Sequence, residues 1–189
     1  MDDRQRIRQK CGRHGRTAAI ALAAIISLFG CGSRERTIET ASPISFLGAV
    51  PGKMTVDQFR DQFKVVDIRE TRGKGVIAAR AGRGADLNLG PLELTGLTGV
   101  FVDDKLFELH GTLRAADSAR FSKYMTDQHG APEKLEGLER WAKSDAQVIY
   151  QSAGGGVASG PAAVDGRFVL SFRPLASEAI DRGYDGIIP

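Results

Sequence analysis

Two histidines are the side chains best suited to acid and base chemistry beyond the first thirty residues of this 189-residue chain. His110 lies in the polar phase of an alternating stretch, and His129 precedes Gly130-Ala131-Pro132, a sequence that ends helices. Neither has a second ligand at a spacing such as H-E-x-x-H, and no G-x-S-x-G sequence offers a nucleophilic serine. A serine, histidine and aspartate triad stays open, because the order of its members along a chain varies. We expect structural or surface roles for both histidines, and neither a metal nor a cofactor.

Two glycine-containing sequences approach nucleotide-binding patterns without meeting them. Gly48–Lys53 has three residues between its glycines where a phosphate loop has four, and Met54 stands where that loop has serine or threonine. Gly73–Ala78 fits the loose G-x-G-x-x-A pattern, but Gly82 and Gly84 would break the helix that must follow it. The sequence therefore predicts no nucleotide site.

A short basic stretch is the strongest candidate for partner binding. It contains five basic side chains, opposed only by Glu70: Arg69, Arg72, Lys74, Arg80 and Arg83. Such a stretch can attract anionic lipid headgroups or an acidic partner. The alternative is a solvated loop and strand edge, where basic residues discourage aggregation.

The basic character of the whole chain comes from its first thirty residues. The chain has 26 basic and 23 acidic residues, of which six and two lie in that segment, so 20 and 21 remain beyond it. The near neutrality of the remainder gives no reason to expect a nucleic-acid partner.

The thiol of Cys31 follows a basic segment and an apolar run, Thr17–Phe29. This run has the length of a signal sequence and is too short to span a bilayer. Its last residues, Leu28-Phe29-Gly30-Cys31, resemble the lipobox of bacterial lipoprotein precursors, in which the chain is cut before a cysteine that then receives lipid. An uncleaved short anchor and an ordinary signal peptide are the alternatives.

The resemblance implies where the mature protein lies. Cys31 would carry two or more acyl chains, which anchor a protein stably in a membrane. The residue after it, Gly32, is not aspartate, and by the family's sorting rule this favours the outer membrane and its periplasmic face. We expect residues 1–30 to be a signal peptide, 31–50 a lipidated tether, and 51–189 a single domain.

The domain begins with signals for a helix. Thr55 and Gln58 have the spacing of a capping box, and Val56, Phe59 and Phe63 fall on one helical face. A second helix is expected at 116–128 and a helical turn at 177–182.

Strands are expected between and after these helices: 64–68, 75–81, 97–102, 106–113, 140–143, 147–151 and 167–172. We expect 82–90 to be a loop. The order predicts an α+β fold, an antiparallel sheet with helices packed on one face, with a faint α-β-β-β repeat.

The start of the domain carries a further resemblance. Pro51, Gly52, Met54 and Thr55, followed by an apolar helix face and a small antiparallel sheet, resemble small lipoproteins of the SmpA/OmlA family and the modules of β-lactamase-inhibitor proteins. The resemblance implies protein binding or scaffolding.

We therefore expect a lipid-anchored envelope protein that binds another envelope protein or an anionic envelope polymer. An envelope hydrolase or enzyme inhibitor is the first alternative, and a passive structural lipoprotein is the second. An enzyme should have polar groups converging around His110 or His129, whereas a scaffold should expose an apolar patch or an open sheet edge.

Overall fold

The computed structural model describes residues 41–153 and 165–186, all of which fall within one compact unit, Ile38–Pro189. The predicted signal peptide and Cys31 lie outside the described residues. Within the described ranges, every helix is too short or too polar to cross a membrane.

Helices and strands of the described ranges form one antiparallel assembly. The helices are α1 (Val56–Phe63), α2 (Ser118–His129) and α3 (Arg173–Asp181). The strands are β1 (Asp67–Glu70), β2 (Val76–Arg80), β3 (Asn88–Leu89), β4 (Leu92–Val102), β5 (Lys105–Leu113), β6 (Glu133–Leu135), β7 (Leu138–Lys143), β8 (Ala146–Gln151) and β9 (Gly166–Phe172). The sheet order is β1-β2-β4-β5-β9-β8-β7-β6, and β3 pairs separately with β4. This arrangement confirms the predicted α+β class.

The chain passes twice through the same architecture. In each half one helix, α1 or α2, precedes four consecutive strands of the sheet path, and the last strands of the two halves, β5 and β9, meet at its centre. Six residue pairs join them, from Glu108↔Ser171 to Leu113↔Gly166. The repeat expected from the sequence is therefore present, with four strands of the sheet path in each half instead of three and the short β3 as an additional strand in the first half.

Helix α1 forms where its cap was predicted. The Thr55 hydroxyl accepts from the Gln58 backbone N–H at 3.2 Å, and the Gln58 side-chain oxygen accepts from the Thr55 N–H at 3.0 Å. Val56, Phe59 and Phe63 are buried against the sheet. The helix ends at Lys64, which adopts a left-handed conformation with φ of 48°.

The main core lies between α1, α2 and one face of the sheet. At its centre the Phe121 ring of α2 stacks on Phe168 of β9, with centroids 5.1 Å apart and planes inclined by 13°. Phe46 packs on Phe168 at 4.9 Å. Phe46, Ile44 and Ala49 are buried, so residues assigned by the sequence to the tether belong to the folded domain. Their apolar side chains pack in the same core as those of α1, α2 and the sheet.

A second, smaller core lies on the opposite face, beneath α3. Val100 and Phe107 belong to it, together with Ala179 of α3 and Tyr184 just beyond that helix. The prediction that helices pack on one face therefore holds for α1 and α2, whereas α3 packs on the other. A register shift between Val100 and Phe101 turns Phe107 towards this second core, although strict alternation would have placed it with Leu109.

Candidate functional site

The sheet face that carries α3 has polar side chains beyond the helix. The pairs Asp67↔Arg80, Arg80↔Thr98 and Thr98↔His110 place four residues in one row across β1, β2, β4 and β5. Directly paired residues point to the same side of a sheet, so these side chains share a face.

A cavity of about 240 Å³ opens on this row. Its polar lining consists of six side chains: Asp67, Arg69, Arg80, Thr98, His110 and Thr112. Ala78 and Gly96 also line it, and their small size leaves room between the longer side chains. We call this cavity with its six polar side chains the open-face pocket.

Basic charge predominates in the open-face pocket. The Arg69 guanidinium pairs with the Asp67 carboxylate at 2.8 Å, and the Arg69 side chain remains 59% exposed. Arg80 is the cross-strand partner of Asp67 but forms no ion pair with any described residue, because the Asp67 carboxylate is held by Arg69. The pocket therefore offers one paired and one unpaired guanidinium to a ligand.

His110 is held by a partly buried hydrogen-bond chain. Its Nε2 lies 3.0 Å from the Glu108 Oε2, and the same oxygen accepts from the Tyr184 hydroxyl at 2.8 Å. Burial, together with the neighbouring Glu108 carboxylate, raises the pKa of Tyr184, so this hydroxyl remains a donor at neutral pH. The His110 ring is thus oriented by a carboxylate that is itself fixed, an arrangement found in histidines that exchange protons.

The five predicted basic residues divide into two groups. Arg69 and Arg80 line the open-face pocket, while Arg80 and Arg83 line a neighbouring groove of about 800 Å³ along the sheet edge. Arg72 instead pairs with Asp185 at 3.0 Å, and the Lys74 backbone N–H donates to the Arg182 carbonyl. The structure therefore brings three of the five together and places the other two beside the end of α3.

His129 is placed differently from His110. It is the last residue of α2, the helix that packs on the opposite face of the sheet. Partial burial, aided by Lys143, lowers its pKa. The structural or surface role expected for His129 stays a prediction.

The sequence reasoning missed Glu108 and Tyr184. Glu108 had a recognisable signal, because residues two apart on a strand share a face and it therefore accompanies His110. Tyr184 lies 76 residues from Glu108 along the chain and had none. Within the ranges that the structure describes, no three histidine, cysteine or carboxylate side chains come together as metal ligands.

Comparisons with known proteins identified no relative of this chain. No protein-family model, no curated protein and no solved structure matches the chain. The lipoprotein and SmpA/OmlA resemblances therefore remain predictions from the residues that carry them.

Proposed function

We propose that this chain is a lipid-anchored cell-envelope protein that binds an acidic segment of another envelope protein on the open face of its sheet. The observation that carries the proposal is the open-face pocket, where Arg69, Arg80 and His110 surround a cavity; Asp67 pairs with Arg69, Glu108 holds His110, and Arg80 is left without an ion-pair partner among the described residues. The predicted lipid at Cys31 would tether the domain to the membrane.

The row through the pocket continues beyond His110 into the second half of the sheet. His110 pairs with Val169, Val169 with Ile149, and Ile149 with Arg140. Five strand spacings separate β2 from β7, so the row from Arg80 to Arg140 extends about 24 Å. That is the length of about seven residues in an extended chain.

Alternating chemistry along this row favours a peptide over a uniformly charged polymer. Val169 and Ile149 are half-buried apolar residues between the basic pocket and Arg140. Arg140 is already paired with Glu133 at 3.2 Å, so the available positive charge is concentrated at the pocket. A segment with acidic residues at one end and apolar residues beside them would match this distribution.

An envelope hydrolase is the second candidate, and the chain from Tyr184 through Glu108 to His110 favours it. Such an oriented histidine can act as a general base on water or on a bound hydroxyl. Thr98 lies opposite His110 in the register and also lines the pocket. Among the described residues, however, no hydroxyl is hydrogen-bonded to His110, so the nucleophile would have to be water or part of the substrate.

The test measures binding of a seven-residue peptide with glutamates followed by valines to the full chain, by isothermal titration calorimetry. The double variant Arg69→Gln with Arg80→Gln should bind the peptide at least about tenfold more weakly than the unchanged chain. Most of this difference in affinity should disappear at high salt, because salt screens the charges. Arg72→Gln with Lys74→Gln is the matched control, because it removes the same charge from the same basic stretch outside the pocket.

Three results would count against the proposal. An equal loss of peptide affinity in both double variants would indicate nonspecific attraction of the peptide to the basic stretch. Tighter binding of polyphosphate than of the peptide would favour an anionic polymer. Absence of binding to either would favour a passive structural lipoprotein.

A further inference from the structure

The first strand of the sheet path, β1, is an edge strand. Its four residues, Asp67–Glu70, pair with β2 on one side, and among the described strands no other lies against the opposite side. An edge strand presents unpaired N–H and C=O groups, which proteins either protect or use to bind another strand. We call this outer side of the strand the β1 edge.

The pairing with β2 fixes which backbone groups of β1 point outward. The Thr71 N–H, just beyond the strand, donates to the Val76 carbonyl at 2.8 Å. Hydrogen-bonding groups alternate between the two sides of a strand, so Arg69 and Asp67 also turn theirs towards β2. Ile68, between them, therefore directs its N–H and C=O away from the sheet.

Apolar side chains are exposed at the β1 edge. Ile68 is 40% exposed, and Val66, just before the strand, is 70% exposed. They are two of the four large apolar residues that are exposed in the described ranges. Exposed apolar side chains beside unpaired backbone groups favour association with a further strand.

The charged residues beside Ile68 have opposite signs. Asp67 precedes Ile68 and Arg69 follows it, and the side chains of this pair, 38% and 59% exposed, both line the open-face pocket. When two copies of β1 pair antiparallel about a two-fold axis at Ile68, the two isoleucines lie opposite each other. Each Asp67 then lies opposite an Arg69 of the other copy. The strand is therefore complementary to itself in this register.

Other two-fold registers of β1 bring like charges together. A two-fold axis places the residue at its centre opposite the same residue of the second copy. An axis at Asp67 or at Glu70 would oppose two carboxylates, and an axis at Arg69 would oppose two guanidinium groups. Like charges directly opposite each other destabilise a strand pair, so charge selects the register centred on Ile68. In that register the outward N–H and C=O of Ile68 form two hydrogen bonds between the copies.

We propose that two copies of this chain associate through the β1 edge, with the strands antiparallel and centred on Ile68. Residues opposite each other in a strand pair share a face, so the open faces of both copies lie on the same side of one continuous sheet. Asp67 and Arg69 line the open-face pocket, so each copy contributes a charged partner to the pocket of the other. The inference goes beyond the proposed function and does not depend on it.

Charge reversal at Asp67 and Arg69 tests both the interface and its register. Sedimentation velocity of the full chain in mild detergent, with micelles in excess, measures the monomer–dimer equilibrium. Asp67→Arg alone, or Arg69→Asp alone, replaces two attractive pairs with two repulsive ones and should weaken dimerisation at least about tenfold. An equimolar mixture of the two single variants restores both opposite-charge pairs, so the mixture should dimerise as the unchanged chain does.

Two further variants separate this interface from other forms of association. Ile68→Lys places two ammonium groups opposite each other and should also weaken dimerisation at least about tenfold. Lys134→Asp is the matched control, because it reverses a charge on β6, the opposite edge strand of the sheet. This control should leave dimerisation unchanged.

Four results would overturn the proposal. A chain that remains monomeric at about 1 mM does not associate through this edge. Dimers that persist in Asp67→Arg or in Ile68→Lys are held together elsewhere, and this second variant decides alone if circular dichroism shows that the charge reversals disturb the fold. Single variants that stay monomeric when mixed would show that Asp67 does not face Arg69. Weaker association in Lys134→Asp would indicate that β1 pairs with β6 of another copy, which gives open chains of molecules instead of closed dimers.

Discussion

Replacing Gly111 with alanine tests how closely the two halves of the sheet approach at their centre. Gly111 of β5 pairs with Phe168 of β9. A Cβ at position 111 would lie 2.1 Å from the Phe168 Cζ and 2.2 Å from its Cε1, where ordinary contacts begin at about 3.4 Å. The ring would have to retreat by about 1.3 Å in an interior that is already close-packed.

The cost follows from what holds the ring. Phe168 is stacked on Phe121 and packed against Phe46, with centroids 5.1 and 4.9 Å away. Overpacking costs about 1–3 kcal/mol, and partial loss of each aromatic contact costs a share of its about 0.5–1.5 kcal/mol. The lower backbone entropy of alanine offsets about 0.5–1 kcal/mol. We therefore expect Gly111→Ala to lower the free energy of unfolding by about 1–3 kcal/mol.

Urea unfolding of the full chain, monitored by the fluorescence of Trp141, measures this change. Trp141 is the only tryptophan and lies edge-on to Phe121 at 6.5 Å, so it reports on the same cluster. The double variant Gly111→Ala with Phe168→Leu should be more stable than additivity predicts by at least about 1 kcal/mol, because the smaller side chain relieves the clash. A loss below about 0.5 kcal/mol, or strict additivity, would refute the reasoning.

Three further predictions concern titration and anchoring. The pKa of His129 is lowered in the folded state, so the unfolded chain binds the proton more readily as the pH falls. The free energy of unfolding should therefore decrease as the pH falls through about 6.5. His129→Gln should reduce this pH dependence in thermal melts at pH 5 to 7. The pKa values of Tyr150 and Tyr184 are raised, so the stability they confer is complete below about pH 10 and is lost above it, at up to about 1.4 kcal/mol per pH unit for each. Tyr184→Phe should remove its share of this alkaline slope, whereas an unchanged slope in urea unfolding from pH 10 to 11.5 would contradict the assignment. Cys31→Ala should abolish acylation and release or stall the protein, measured by mass and by membrane fractionation; unchanged membrane retention with an unprocessed mass would favour a plain anchor.

Local signals predicted the elements that local interactions define. The cap of α1 needs only Thr55 and Gln58, and Gly130 ends α2 as expected. The hairpin between β4 and β5 turns at Asp103 and Asp104, whose φ angles of 47° and 62° are those that aspartate tolerates better than most residues. In each case the determining residues are close in sequence, so the local pattern was sufficient.

Elements that depend on distant partners were harder to predict. Phe46 lies in a stretch without periodicity, and only its packing on Phe168 makes it part of the core. The short β6 consists of exposed residues and is defined by its pairing with β7. The first strand was predicted at 64–68 and begins at Asp67, because Lys64 still caps α1.

The candidate site shows the same division. Arg69, Arg80 and His110 were recognised as residue types, but their meeting in one pocket depends on the register of four strands. The sequence could not show that Arg72, unlike Arg69 and Arg80, lies outside the pocket, because its ion-pair partner Asp185 is far along the chain. Tyr184 joins the site only because α3 packs on the second face of the sheet.

The position of β9 at the centre of the sheet has a consequence for the order of folding. Strand β5 ends at residue 113, but β9, its second neighbour in the sheet, is formed by residues 166–172. The middle of the sheet therefore stays unpaired until almost the whole chain is available. Pairings between such distant segments carry a large loop-closure cost and form late. The strand that joins the two halves is thus the last of the described strands along the chain, so the central pairing can form only after the strands of both halves are available.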